Sequence, residues 1–196
     1  MIVARRRALM LGLATSAAGL LPLKAAATLS SPTAPRGPAW DAALSSSPRR
    51  AFLHNLHTGE TLDEVYFAAG RYVPGALAEA MRVLRDWRDG EEHLMDPQLF
   101  DLLHSLRAKT ESSAPFQIIS GYRSPATNAR LHAESHEVAA KSQHMFGKAL
   151  DIRIEGVDLG RLHQAALSLK AGGVGYYPRS DFVHVDVGPL RQWAGT

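Results

Sequence analysis

Two short runs of alternating residues, 148–155 and 182–187, constrain the fold of this chain more than any other feature. Successive side chains of a strand point to opposite faces. In the first run Leu150, Ile152 and Ile154 therefore share one face, and Ala149, Asp151 and Arg153 the other. In the second, Val183, Val185 and Val187 take one face and leave Phe182, His184 and Asp186 opposite. Each strand needs an apolar core on one side and offers polar groups on the other. Paired, the two would bring their polar faces to one site, with His144 delivered by the irregular connection 137–146 ahead of the first strand.

The rest of the chain supplies the layers such strands need. Residues 51–57 and 61–67, joined by Thr58-Gly59-Glu60, read as a β-hairpin. Pro74 opens a helix whose Leu77, Met81, Leu84 and Trp87 recur at helical spacing. Asp96-Pro97 is an N-cap followed by proline at the first helical position, opening a second helix with Leu99, Leu102, Leu103 and Leu106 on one face. A short apolar strand at 116–120, a helix at 125–135, a helix at 159–170 and a final hairpin of 174–177 with 182–187 complete the pattern. The expected class is α+β: a small antiparallel sheet with helices packed on one side and a zinc site on its polar face.

Residues 1–27 stand apart. They hold Arg5, Arg6, Arg7 and Lys24 and no acidic residue, so the whole-chain balance of 22 basic to 19 acidic residues becomes 18 to 19 for residues 28–196. That remainder has no evenly basic face, which argues against nucleic acid as a partner. The apolar stretch 8–23 is 16 residues long and broken by polar residues, short of the roughly 20 a membrane helix needs. With Arg6-Arg7 before Ala8-Leu9-Met10 and the small-residue ending Ala25-Ala26-Ala27, it reads as a twin-arginine signal peptide. The expectation is a periplasmic protein with no stable membrane span after cleavage. Residues 28–48, rich in Ser, Pro and Ala, read as a flexible leader, and 49–196 as the folded domain, a monomer. The chain has no cysteine, so disulfides, thiolate metal sites and cysteine nucleophiles are excluded.

A metal must then sit on histidine and carboxylate. His144, Asp151 and His184 are a sufficient set for Zn2+, with a fourth position open for water, as catalytic zinc requires.

Several motifs extend this reading. Ser120-Gly121-Tyr122-Arg123-Ser124, the run from Ser142 through His144 and Gly147 to Asp151, and Phe182-Val183-His184-Val185-Asp186 resemble the D-Ala-D-Ala carboxypeptidase-like zinc peptidases. Gly172-Gly173-Val174-Gly175-Tyr176-Tyr177-Pro178 and the closing Gly188-Pro189-Leu190-Arg191-Gln192-Trp193 are similar to the murein endopeptidase K (YcbK-like) branch. The resemblance implies a zinc metallopeptidase of the DD-endopeptidase type. It would hydrolyse peptidoglycan cross-links, D-Ala to diamino acid and also diamino acid to diamino acid, in cell-wall remodelling. It assigns His144, Asp151 and His184 as metal ligands. Arg123 matches the arginine that holds the scissile carbonyl oxygen or a substrate carboxylate. For the general base it leaves two candidates, Asp186 and Asp181, of which Asp186 is preferred; its alternative role is fixing an imidazole orientation. The competing function is a non-catalytic, zinc-containing cell-wall-binding module.

Overall fold

The computed structural model describes residues 47–135 and 138–195. The expected signal peptide and all but the last two residues of the expected leader lie outside that range.

Among the described residues the element order is β1 (Arg49–Asn55), β2 (Thr61–Ala68), β3 (Arg71–Tyr72), α1 (Pro74–Val83), α2 (Pro97–Thr110), β4 (Phe116–Ser120), α3 (Pro125–Glu134), a 3-10 turn (Gln143–Phe146), β5 (Ala149–Ile154), α4 (Leu159–Leu169), β6 (Gly173–Tyr177), β7 (Phe182–Asp186) and β8 (Arg191–Ala194). The strands form one sheet in the order β3-β2-β1-β4-β5-β7-β6-β8. The α+β class holds, but the sheet is neither small nor wholly antiparallel: β1 runs parallel to β4, and β6 parallel to β8. Two strands escape a search for alternation. The pair Arg71–Tyr72 is too short to show a period, and Arg191–Ala194 reads Arg-Gln-Trp-Ala, with no apolar face. The β6–β7 hairpin forms as expected, yet β8 lies beyond it at the edge.

The apolar face of the sheet carries Leu53, Phe116, Ile118, Leu150, Ile152, Val183 and Val185, all buried against Val83, Leu99, Phe100, Leu106 and Leu162 of α1, α2 and α4. Each such side chain contributes roughly 1.5–3 kcal/mol on leaving water. α3 adds nothing to this core; its buried residues are the polar Thr127 and Asn128. Three helices cover the core, and the fourth serves the site.

α2 starts as its sequence dictates, with the Asp96 carboxylate accepting from Gln98 N–H at 3.0 Å. α1 stops at Val83, one turn short of its apolar periodicity. The cause is Asp86, whose buried carboxylate accepts from the backbone N–H groups of Arg88 and Ser124 and turns the chain out of the helix. Trp87 is left 39% exposed, stacked on His57 at 4.1 Å.

Candidate metal centre

The two alternating runs pair as antiparallel β5 and β7, and the register sets Asp151 directly opposite His184. On the other side of β5, a bulge in β4 between Ile118 and Ser120 brings Ser120 opposite Asp151. The chain then turns sharply at Gly121, where a Cβ would lie 2.4 Å from the Leu84 carbonyl oxygen, so only glycine fits. His144 sits in the 3-10 turn, which is capped by the Ser142 hydroxyl.

His144 Nε2, Asp151 Oδ1 and His184 Nδ1 converge. The separations are 3.2 Å between the two nitrogens, 3.2 Å from His144 to Asp151 and 2.9 Å from His184 to Asp151. Tetrahedral zinc with bonds of about 2.0–2.1 Å sets its ligand atoms about 3.3–3.4 Å apart, so this triangle is close to one face of such a site.

Both imidazoles are fixed in the tautomer a metal needs. His144 Nδ1 is 2.7 Å from the Gly121 carbonyl oxygen, which can only accept, so the proton is on Nδ1 and Nε2 keeps its lone pair. His184 Nε2 donates to Asp186 Oδ2 at 3.0 Å, which leaves Nδ1 as the ligating atom. Two lone pairs and a carboxylate oxygen thus face one point, where a cation is required. The electrostatics agree. Burial holds His144 below the ordinary imidazole range and in its neutral form. Burial also opposes charge on Asp151 and His184, but His144 and His184 hold the Asp151 carboxyl well below the carboxylate range, and Asp151 and Asp186 raise His184.

Arg123 lies beside this triangle, 8% exposed. Its Nη1 meets Asn128 Oδ1 and its Nη2 meets Ser120 Oγ, both at 3.4 Å, and Nη2 is 3.7 Å from Asp151 Oδ2. Its Nε is buried without any partner. A buried donor left unmade costs about 1–3 kcal/mol, so this guanidinium is held ready for an oxygen the protein does not supply. Asn128 fixes it in turn, since its amide nitrogen donates to the carbonyl oxygens of Ala139 and Ala140. Ser124 caps α3 by accepting from Thr127 N–H.

The two candidate bases fall elsewhere. Asp186 is 0% exposed, and both its oxygens are taken. Oδ1 accepts from Gly173 N–H, Gly188 N–H and Arg191 Nη1, and Oδ2 from His184 and Arg191 Nη2. Burial opposes its charge, yet these donors hold its carboxyl well below the carboxylate range. Such a group anchors the His184 ring and has no lone pair facing the site. Asp181 sits in the turn before β7 at φ +56° with its side chain 60% exposed, ion-paired to Arg153 at 2.5 Å. The strand does begin after it, but its carboxylate reaches Arg153 rather than the ligands.

A cavity of about 520 Å³ opens over the triangle, lined also by Arg123, Lys141, Tyr177, Arg191 and Trp193. Among the described residues, no carboxylate other than Asp151 lines it. Tyr177 and Trp193 were not legible as site residues: a tyrosine in a strand reads as packing, and Trp193 belongs to the strand that shows no alternation. Tyr122 and Tyr176 instead stack on His93 and His163.

A mixed sheet with a His/Asp/His triangle at the floor of a cation-lined cavity defines a protein of the metallopeptidase class. Comparison with known proteins makes the assignment particular. The family described as peptidoglycan L,D-endopeptidase MepK, an M15-type peptidase family, matches residues 43–193. The chain is 44% identical over 189 residues, 96% of both chains, to the peptidoglycan L,D-endopeptidase MepK of Escherichia coli strain K12, and equally to that of Shigella flexneri. It is 42% identical over 149 residues to the probable peptidoglycan L,D-endopeptidase MepK of Haemophilus influenzae, covering 76% of this chain and 80% of the relative. The chain belongs to this peptidase family.

Proposed function

We propose that this protein is a zinc-dependent endopeptidase that hydrolyses peptide cross-links of peptidoglycan during cell-wall remodelling. The observation that carries the reading is the triangle of His144 Nε2, Asp151 Oδ1 and His184 Nδ1, spaced for tetrahedral zinc and held in the ligating tautomers by Gly121 and Asp186. Of the two cross-links, diamino acid to diamino acid is the preferred substrate. The relatives' names specify an L,D bond, and a D-Ala acyl group has no L centre to offer. The leader with Arg6-Arg7 and the peptidoglycan in those names support a periplasmic location reached by the twin-arginine route.

His144, Asp151 and His184 would hold the ion. When bound, zinc lowers the pKa of a water molecule and polarises an amide carbonyl. Arg123 aims a fixed, under-satisfied cation at the carbonyl oxygen as charge develops there, which favours the transition state over the ground state. Asp186 keeps the His184 ring in register, and Asn128 does the same for Arg123. Hydrolysis breaks the C–N bond, with water giving OH to the acyl carbon and a proton to the leaving amine. Neither Asp181 nor Asp186 is placed to carry that proton.

The non-catalytic binding module draws on one observation, the lack of a second carboxylate among the described residues of the cavity. Purified protein with zinc, incubated with defined muropeptide dimers and read by mass spectrometry, separates the two. The peptidase reading expects the diamino acid-linked dimer to fall to monomers faster than the D-Ala-linked dimer, with none cleaved by His144→Ala. Intact dimers of both kinds, with zinc bound, would leave the binding module.

A further inference from the structure

The cavity is lined by donors, and one of them is built into its wall with unusual care. Tyr177 closes β6, whose register pairs Gly175 with His184 and Tyr177 with Phe182. Residues opposite each other in an antiparallel pair share a face, so Tyr177 stands on the face that carries His184. Its ring is stacked on Phe182 at 4.4 Å and 19°. Below it lies Gly195, where a Cβ would come within 2.1 Å of the tyrosine Cε1.

The hydroxyl is directed as well as placed. Trp193 Nε1–H donates to Tyr177 Oη at 2.8 Å. An indole nitrogen can only donate, so the tyrosine oxygen accepts, and its own hydrogen turns away from the indole. Trp193 is itself fixed. It lies across Gly175, where a Cβ would be 2.6 Å from its Cε2, with its ring 5.1 Å from the His184 ring and the Arg191 guanidinium 5.1 Å above it. Edge strand β8 exists in register with β6 to put it there. A single chain of contacts thus runs from the His184 imidazole through Trp193 to the Tyr177 hydroxyl, in the cavity that also holds Arg123.

We propose that Tyr177 is a catalytic residue of this site, whose hydroxyl donates a hydrogen bond to the carbonyl oxygen of the scissile amide alongside Arg123, and that Trp193 is its positioning residue. The inference rests on the peptidase reading above. It gives a role to the C-terminal strand, which otherwise only extends the sheet. Two fixed donors on one oxygen, one charged and one neutral, stabilise the charge that develops there without reorganising during the reaction.

The test uses the full-length, zinc-loaded protein and the variants Tyr177→Phe and Trp193→Phe. Two readouts are needed: kcat and KM on the diamino acid-linked dimer, and the dissociation constant of a phosphinate analogue of that cross-link, which mimics the tetrahedral state. Tyr177→Phe is expected to lower kcat by about 10²-fold, the scale for one such donor, with KM and zinc content unchanged and phosphinate binding weakened in parallel. Trp193→Phe keeps an aromatic ring but loses the N–H, and is expected to give the same pattern at smaller size. Wild-type kcat and phosphinate affinity in Tyr177→Phe would overturn the proposal, as would a loss that follows lost zinc. The phosphinate titration needs no turnover, so it judges Tyr177 even where an inactive wild-type protein has defeated the peptidase reading.

Discussion

Replacing Asp186 by Asn separates anchoring from proton transfer. The amide oxygen can still accept from Gly173 and Gly188, which bond Oδ1 at 2.9 and 2.8 Å. The amide nitrogen then faces His184 Nε2 at 3.0 Å and Arg191 Nη2 at 2.6 Å, donor against donor. A hydrogen bond to a charged group is worth about 1.5–3 kcal/mol; the Arg191 side chain is 39% exposed, so its share is nearer the 0–1 kcal/mol of a solvated pair. Holding the present tautomer would therefore cost about 2–4 kcal/mol. His184 has an escape: its proton moves to Nδ1, and Nε2 accepts from the new amide. That relieves the fold and blocks the ligating nitrogen. The expected signature is a modest drop in the melting temperature of the metal-free protein together with zinc affinity reduced about 10–100-fold, the scale for losing such an anchor. Competition against a chromogenic chelator measures the second quantity, and thermal denaturation the first. Wild-type zinc affinity with collapsed kcat would refute the reasoning and make Asp186 the base.

Other expectations come from the same geometry. Asp181→Ala removes an exposed ion pair with Arg153, worth at most about 1 kcal/mol, and leaves kcat on the dimer unchanged; a loss as deep as that of His144→Ala would restore its role as base. Arg123→Lys keeps the charge but not the fork, and is expected to lower kcat about 10²–10³-fold with zinc retained; wild-type kcat would remove Arg123 from the chemistry. Because His184 is raised above the ordinary 6.5, its contribution to the stability of the metal-free protein is complete below about pH 6.5 and is lost as pH rises through the raised value. Zinc needs the neutral ring, so zinc affinity climbs over that same interval. Melting curves and zinc titrations across pH should therefore move in opposite directions, and parallel trends would contradict the assignment.

The parts of this protein legible in its sequence are those where one residue's neighbours along the chain decide its place. Period two put Asp151 and His184 on one face, and their pairing follows from two apolar faces sharing a core. Asp96-Pro97 announced α2. The illegible parts depend on partners distant in sequence or on isolated conformations. Alternation placed Asp186 on the site's side of the strand but could not show that the Gly173 and Gly188 amides and Arg191 would occupy its oxygens. Asp181 was free to face either way until its left-handed turn delivered it to Arg153. Strand β8 rests on Trp193 lying over Gly175, a fit between two residues 18 positions apart that no local pattern encodes.

The central claim is that one metal ion on His144, Asp151 and His184 runs the hydrolysis of a peptidoglycan cross-link. The measurement that tests it most directly is a zinc titration of metal-free protein, with bound zinc and cleavage of the diamino acid-linked dimer followed in the same samples. Activity should rise in proportion to bound zinc, reach its plateau at one ion per chain, and be missing from His184→Ala at every zinc level. Full cleavage by metal-free protein, or one bound zinc per chain with the dimer intact, would contradict the account.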